Sequence, residues 1–443
     1  MNIILRLVSA FFVILFLGLF ASCKKADTSD PAIPGINPFS NGGNERNMIV
    51  VISDLHFGAD STYAECNDNL GPLEKLLNQI KAAPNVKELV IAGDLVDEWF
   101  VPATTDTYQG KDQADFVERL ATANQGVFDV FNSIIQEGKI FVTYVPGNHD
   151  LAITAANIER ILPGVNQARD NVLGLGTYSP VDCPEIAIEH GHRFDFFCAP
   201  DPFSNQDIAP GTILPPGYFY TRIAALCVFQ QNPPPGDTLP VVTPNISGNE
   251  SQNLLFKYWT TWAASVKTFP ITYRFDEKII VTNMNGFTGN YSVDDLVPYQ
   301  STPGGFIDVY LYHGIQEHWE ARQIYNKVAV HSTTAQAIDS VISSTNIDRQ
   351  ANLQYFLNPA SDKRIVIFGH THQPRIDEGI SYDGKKCIYA NSGTWIDVNP
   401  KQTTMNFVVI TPQNLDASSQ TLVKLYNFEK EVVTLMANSS TRY

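Results

Sequence analysis

The chain has little basic charge. It carries 30 Lys and Arg against 46 Asp and Glu, a formal net charge of -16 at pH 7 over 443 residues. Nothing in it supplies the Lys/Arg stripe that a phosphate backbone requires, so a nucleic-acid polymer is not an expected partner. Cysteine is scarce: there are six, and none in a C-x-x-C spacing, which argues against a structural zinc site. The apolar run at residues 7–20 is too short for a comfortable membrane span, which needs about 20 residues. No repeat with a period of roughly 20 to 50 residues is visible. The hydrophobic content, by contrast, is 44% and the aromatic content 11%. That is enough for one large core or two, and too apolar for a disordered chain.

The first 22 residues read as an export signal: a short basic start ending in Arg6, then the apolar run. The signal closes on Leu19-Phe20-Ala21-Ser22-Cys23, which resembles a bacterial lipobox, where the cysteine is diacylated and becomes the new N-terminus. Cys23 is therefore the expected lipidation site, and the chain an exported, membrane-anchored lipoprotein facing the periplasm or cell exterior. Residues 23–46 are rich in Pro, Gly, Asn and Ser without hydrophobic period, as a tether would be. The remaining cysteines, Cys66, Cys183, Cys198, Cys227 and Cys387, allow at most two disulfides in such a compartment.

Beyond the tether, short apolar runs alternate with helical patterns. Residues 48–52, 88–92, 140–145, 186–189 and 364–368 read as strands, and 72–82 and 113–136 as amphipathic helices, the second stopped by Gly138. This alternation predicts an α/β fold with parallel strands. Each strand delivers a polar block at its carboxyl end, where open α/β sheets build their sites. The blocks are Ser53-Asp54-Leu55-His56, Gly93-Asp94-Leu95-Val96-Asp97, Gly147-Asn148-His149-Asp150, His190-Gly191-His192 and Gly369-His370-Thr371-His372. About 180 residues separate the last two blocks, far more than a βα connection needs, so residues 199–355 are expected to be an inserted cap or subdomain. Within it, 199–244 is studded with proline and reads as irregular, while 254–266, 315–328 and 334–343 read as helices. The body would then comprise 47–198 and 356–443, its last part an antiparallel run of strands at 386–390, 406–410, 421–426 and 432–436.

Asp54 and His56 are two apart, as are His370 and His372, so extended chain would point each pair to one side. Imidazole, carboxylate and amide oxygens together suit Zn, Mn or Fe, and two such ions about 3.5 to 4 Å apart clamp the attacking and leaving oxygens of a phosphoester. Asp94 is the natural carboxylate to bridge them. In the fourth block either His190 or His192 could be the ligand. Asp150 reads equally as support for the site or as a helix N-cap, and Trp99 as a pocket floor or a core residue.

Taken in order, the blocks resemble the signature of the calcineurin-like metallophosphoesterases: D-x-H, G-D-x-x-D, G-N-H-D/E, an H-G-H-like block, and G-H-x-H. The resemblance covers roughly residues 48–397, with the insertion unmatched. It implies a four-layer β-sandwich flanked by helices and two divalent metal ions. Asp54, His56 and His372 would hold the first ion and Asn148, His190 and His370 the second, with Asp94 bridging. It also implies an attacking hydroxide between the ions, His149 as acid to the leaving oxygen, and Asp97 hydrogen-bonded to His149. The last pairing is chemically sensible, because a carboxylate orients an imidazole and favours its protonated form. The segments around Asp54, Asp94 with Trp99, and His370 to Pro374 look like the branch containing UDP-2,3-diacylglucosamine pyrophosphatases. Two features depart from that branch: His149 stands where it commonly has Arg, and the export signal removes the chain from the cytoplasm. The expected substrate is a small phosphoester: a nucleotide, a sugar phosphate or a lipid head group.

Overall fold

The computed structural model describes residues 37–234, 239–272, 274–341, 344–400, 402–413 and 419–442. The expected export signal, Cys23 and the tether as far as residue 36 lie outside the described residues. Residues 37–46, expected to close the tether, pack on the body instead. Phe39 is 2% exposed, with its ring 5.7 Å from that of Phe407, and Asn85 Nδ2 donates to the carbonyls of Gly43 and Glu45. A buried aromatic fixes its backbone, so this stretch belongs to the folded body.

The first half follows the strand and helix alternation: β1 (Met48–Ile52), α1 (Leu70–Ala82), β2 (Val86–Ala92), α2 (Gln113–Ala123), α3 (Gln125–Glu137), β3 (Phe141–Val145), α4 (Ala155–Ile161) and β4 (Asn166–Gln167). The single helix expected over 113–136 is two. Asn124 breaks it, donating from Nδ2 to Gly58 O at 3.0 Å and Leu120 O at 2.9 Å, which ties the break to the loop beyond the first block. α3 ends at Gly138 in the left-handed conformation that glycine adopts without a Cβ penalty.

After β5 (Thr177–Tyr178) and β6 (Ile186–Glu189) the long segment begins. It contains α5 (Pro216–Phe229), α6 (Glu250–Thr268), four two-residue strands β7 (Ile280–Val281), β8 (Asn290–Tyr291), β9 (Tyr299–Gln300) and β10 (Ile307–Asp308), then α7 (Ile315–Tyr325), α8 (Thr334–Val341) and α9 (Ser344–Ala351). α5 corrects the reading of 199–244 as irregular throughout. Pro216 opens it, and its residues from Pro216 to Val228 are all buried. A helix covered on every face shows no amphipathic period, which is why the pattern hid it.

The chain closes with β11 (Ile365–Phe368), β12 (Arg375–Ile380), β13 (Lys386–Asn391), β14 (Asn406–Thr411), β15 (Thr421–Glu429) and β16 (Val432–Thr441). One sheet runs β16-β15-β14-β1-β2-β3-β4, the other β12-β13-β11-β6-β5. β1 to β4 are mutually parallel, and β11 is parallel to both β6 and β13. The antiparallel run expected from 386 onward is therefore only β14 to β16, since β13 joins the other sheet. β12 escaped the sequence reading because Arg375, Asp377 and Glu378 make a polar, half-exposed edge.

Alternation along the strands decides the layers. Ile49 and Val51 of β1 face Ile186, Ile188, Ile365 and Ile367 in an apolar layer between the sheets. Val50 and Ile52 face the other way, into the core shared with Leu73, Leu77 and Phe131 of the helices. On the far face of the second sheet, Val366 and Phe368 pack with Ile347 and Phe356. The result is helix, sheet, sheet, helix: a four-layer α/β sandwich. The inserted segment shares the first core, since Tyr218, Trp262 and Trp319 belong to the same cluster as Leu73 and Trp99. No described helix is long and apolar enough to cross a membrane.

Candidate metal centre

All five blocks converge. Asp54 N donates to Gly93 O, Gly369 N to His190 O, and His370 N to both carboxylate oxygens of Asp54 at 3.1 and 3.2 Å. The backbone at the site is unusual: Asp54 (φ 55°), His56 (47°), Asp94 (50°), His370 (67°) and His372 (55°) all occupy the left-handed region. Non-glycine residues are uncommon there, and such strain clusters at functional sites. Left-handed backbone, and not extended pleating, brings Asp54 to His56, and contrary to the expectation from alternation His370 and His372 part: His372 joins Asp54 and His56, while His370 stands with Asp195 and Cys198. Gly147 permits the close approach: a Cβ there would lie 2.1 Å from Asp94 Oδ1 and 2.3 Å from Asp94 N.

The expected ligand atoms fall into two groups. In the first, His372 Nε2 lies 3.1 Å from Asp54 Oδ1 and 3.3 Å from His56 Nε2, which is 3.5 Å from Asp94 Oδ2. In the second, His190 Nε2 lies 3.1 Å from Asp94 Oδ2 and 3.1 Å from Asn148 Oδ1. An ion with bonds of about 2.1 Å has ligand-to-ligand edges of roughly 3.0 to 3.4 Å in octahedral or tetrahedral geometry, so these spacings fit a metal. Asp94 Oδ1 is occupied by His149 N at 2.8 Å. Its Oδ2 alone faces both groups, the geometry of a bridge. His370 stands beside the second group, its ring 5.2 Å from that of His190, and its Nε2 is turned to Asp195 Oδ2 at 3.3 Å.

Electrostatics point the same way. Asp54, Asp94 and Asp97 are buried and form ion pairs only with histidine among the described residues, with no Lys or Arg nitrogen within 4.0 Å. Burial pushes the carboxyls of Asp54 and Asp94 up, but the neighbouring imidazoles overcome it and hold both below the usual range. Burial likewise opposes charge on His56, yet the carboxylates of Asp97, Glu65 and Asp94 push its pKa up to about 10. His190 is pushed up to about 9, burial being outweighed by Asp94 and Asp54. The cluster gathers positive charge as protons where a divalent ion would supply it.

His149 Nδ1 lies 2.9 Å from Asp97 Oδ1, and Trp99 packs against the His149 ring with centroids 4.7 Å apart. Asp97 Oδ1 also accepts from the backbone of Trp99 and Phe100, while its Oδ2 lies 3.2 Å from His56 Nδ1. Trp99, fully buried, is thus both a core residue and a wall behind His149. Asp150 is not a helix cap: it accepts from Leu95 N and Gly147 N, tying the second block to the third, and Thr154 caps α4. His192 Nε2 turns away to Gly174 O at 2.7 Å, leaving His190 as the histidine of its block that faces Asp94.

Sequence reasoning missed Glu65, 3.4 Å from His56 Nδ1, and Asp195, which lies with Cys198 beside His370. Glu65 sits in an irregular loop that carries no pattern. Asp195 follows the fourth block by three residues and could have been flagged as an acidic neighbour of His192. The five cysteines of the body are buried and free of disulfides.

Residues 48–213 match the model of a family described as calcineurin-like phosphoesterase, a span that takes in the first four blocks and stops before the fifth. No curated protein matches. Among solved structures, a single mutant of Vps29 from Entamoeba histolytica is similar over 89% of this chain and 99% of its own, at 10% identity and a TM-score of 0.29, too low to carry any argument.

Proposed function

We propose that this chain is a dinuclear-metal-dependent phosphoester hydrolase, working in the cell envelope as an exported lipoprotein anchored through Cys23. The observation that carries the reading is the lone Asp94 Oδ2 set between His56 Nε2 and His190 Nε2, with a non-ligand histidine held beside it. A purely structural site has no use for that histidine. Asp54, His56 and His372 would hold one ion, Asn148, His190 and His370 the other, with Asp94 shared. Two divalent ions of the Mn, Zn or Fe type, when bound, supply Lewis acidity toward phosphoryl oxygens and acidify the attacking water.

The chain's own residues do the rest. Asp97 fixes His149 through Nδ1, which leaves Nε2 to give a proton to the leaving oxygen. Trp99 on the ring and the His149 N to Asp94 Oδ1 bond set the distance of that imidazole from the bridge. His149, His370 and His372 are only 4 to 6% exposed, which favours a small substrate over a protein surface. A nucleotide, a sugar phosphate or a lipid head group fits, including the sugar-nucleotide lipids of the UDP-2,3-diacylglucosamine branch.

The test is hydrolysis of p-nitrophenyl phosphate and its bis ester with Mn, Zn, Fe or Co, expected in the native chain and lost in Asp94→Asn and His149→Ala. No turnover with any of these metals across a broad phosphoester panel would sink the proposal. Labelling with a clickable palmitate tests the anchor separately, and an unlabelled mature protein would remove it.

A further inference from the structure

The second group of ligands is tied to the inserted segment by a chain of contacts that the block pattern does not contain. His56 and His190 present Nε2 to Asp94, and each has an acceptor at Nδ1: Asp97 Oδ2 at 3.2 Å for His56, Ala92 O at 2.9 Å for His190. Metal-bound histidines nearly always carry such an acceptor on the other nitrogen, which sets tautomer and ring angle. His370 differs, because the nitrogen engaged with a carboxylate is Nε2, 3.3 Å from Asp195 Oδ2. Nδ1 is then the nitrogen that would serve a metal.

Asp195 is itself fixed. Its Oδ1 accepts from Phe197 N at 2.7 Å, and its carbonyl accepts from the backbone of Cys198 and Ala199 at 3.1 and 2.8 Å, closing a tight turn. That turn is gripped from the insertion. Arg322 of α7, fully buried, donates from Nη2 to Phe196 O at 2.9 Å and Ala199 O at 2.6 Å, and its guanidinium lies 5.3 Å from the Phe196 ring centroid. Cys198 is close by, but belongs to the apolar core cluster.

We infer that Asp195 is the positioning residue for His370, holding Nε2 so that Nδ1 faces the second metal position, and that the insertion controls occupancy of that position through Arg322. The inference rests on the dinuclear reading above. It gives the insertion a role in metal retention as well as in pocket shape.

The experiment strips the purified full-length chain of metal, then titrates it with Zn or Co while counting bound ions by mass spectrometry and following the Co absorption bands. The native chain should bind two ions in two steps, and His370→Ala should keep only the first. Asp195→Ala should weaken the second step about 10- to 100-fold and leave the first unchanged. Asp195→Asn, which still accepts from Nε2–H, should recover part of that loss, Arg322→Met should weaken the second step less, and Cys198→Ala should change neither. Native-like second-step affinity in Asp195→Ala would overturn the inference. So would equal losses in Cys198→Ala, which would make the trio a direct ligand set, or a fall in both steps matched by lower stability of the metal-free variant. A native chain that binds no metal would instead overturn the proposed function.

Discussion

Replacing Arg222 by Met tests whether the insertion is built into the site. Arg222 lies on α5 with no exposed surface and donates to five backbone carbonyls: Val101 at 2.8 Å, Pro102 at 3.0 Å, Ala103 at 3.3 Å, Thr105 at 2.6 Å and Val281 at 2.9 Å. Four of the five belong to the loop that follows Asp97 and Trp99. No carboxylate lies within 4.0 Å of the guanidinium among the described residues, so the carbonyl dipoles are its direct partners, while Asp106 and Asp97 favour the buried charge from farther off. Methionine fills a similar volume but leaves those acceptors without a donor, at about 1 kcal/mol or more each, while removing the expense of burying a cation. The net loss should be about 3 to 5 kcal/mol. With an unfolding entropy of about 2 cal/mol/K per residue over roughly 400 residues, the melting temperature should fall by about 5 °C. Calorimetry or denaturant unfolding of the metal-free protein measures this, with Arg222→Lys as the partial rescue, since one ammonium cannot reach five carbonyls. Phosphoesterase turnover should fall as well, because the freed loop carries Trp99 against His149. Stability within about 1 kcal/mol of native would refute the argument that this arginine fastens the insertion to the site.

Four further outcomes are expected. His149→Ala should lower kcat by about 10²- to 10⁴-fold with two metals still bound, and a matching loss of metal would reassign His149 as a ligand. Gly147→Ala forces a Cβ to within 2.1 Å of Asp94 Oδ1, so metal content should drop sharply, and full occupancy would show that the block can shift aside. His56 and His190, pushed up to about 10 and about 9, hold protons at pH 7 when no metal is present. Metal loading at pH 7 should therefore release about two protons, with affinity rising toward pH 9 to 10 and falling below neutrality. Calorimetric titration in buffers of different ionisation enthalpy reads that number, and no release would contradict it. The same raised values stabilise the metal-free fold fully below a pH of about 6.5 and lose that stabilisation as pH climbs through 9 to 10, so its melting temperature should decline across that range.

Much of the fold was legible because its signals are local. β1, β2, β3, β6 and β11 are apolar runs closed by turn residues, and each carries its block within five residues of its end. α5 was hidden because burial on every face erases the amphipathic period, and β12 because an edge strand tolerates charge. The break at Asn124 depended on the Gly58 carbonyl, 66 positions away in the chain, which no window of sequence contains.

The site divides along the same line. Sequence alone determined which side chains are offered, in what order and at which strand ends, because residue type and spacing are written in the chain. Only the tertiary structure decided how they are used: that His56 meets His372 across 316 positions, that one oxygen of Asp94 faces both groups, that left-handed backbone brings Asp54 to His56 while His370 and His372 part, and that Asp195 and Arg322 stand behind His370. These are contacts between distant segments, and which nitrogen or oxygen points inward is fixed by whatever packs behind it.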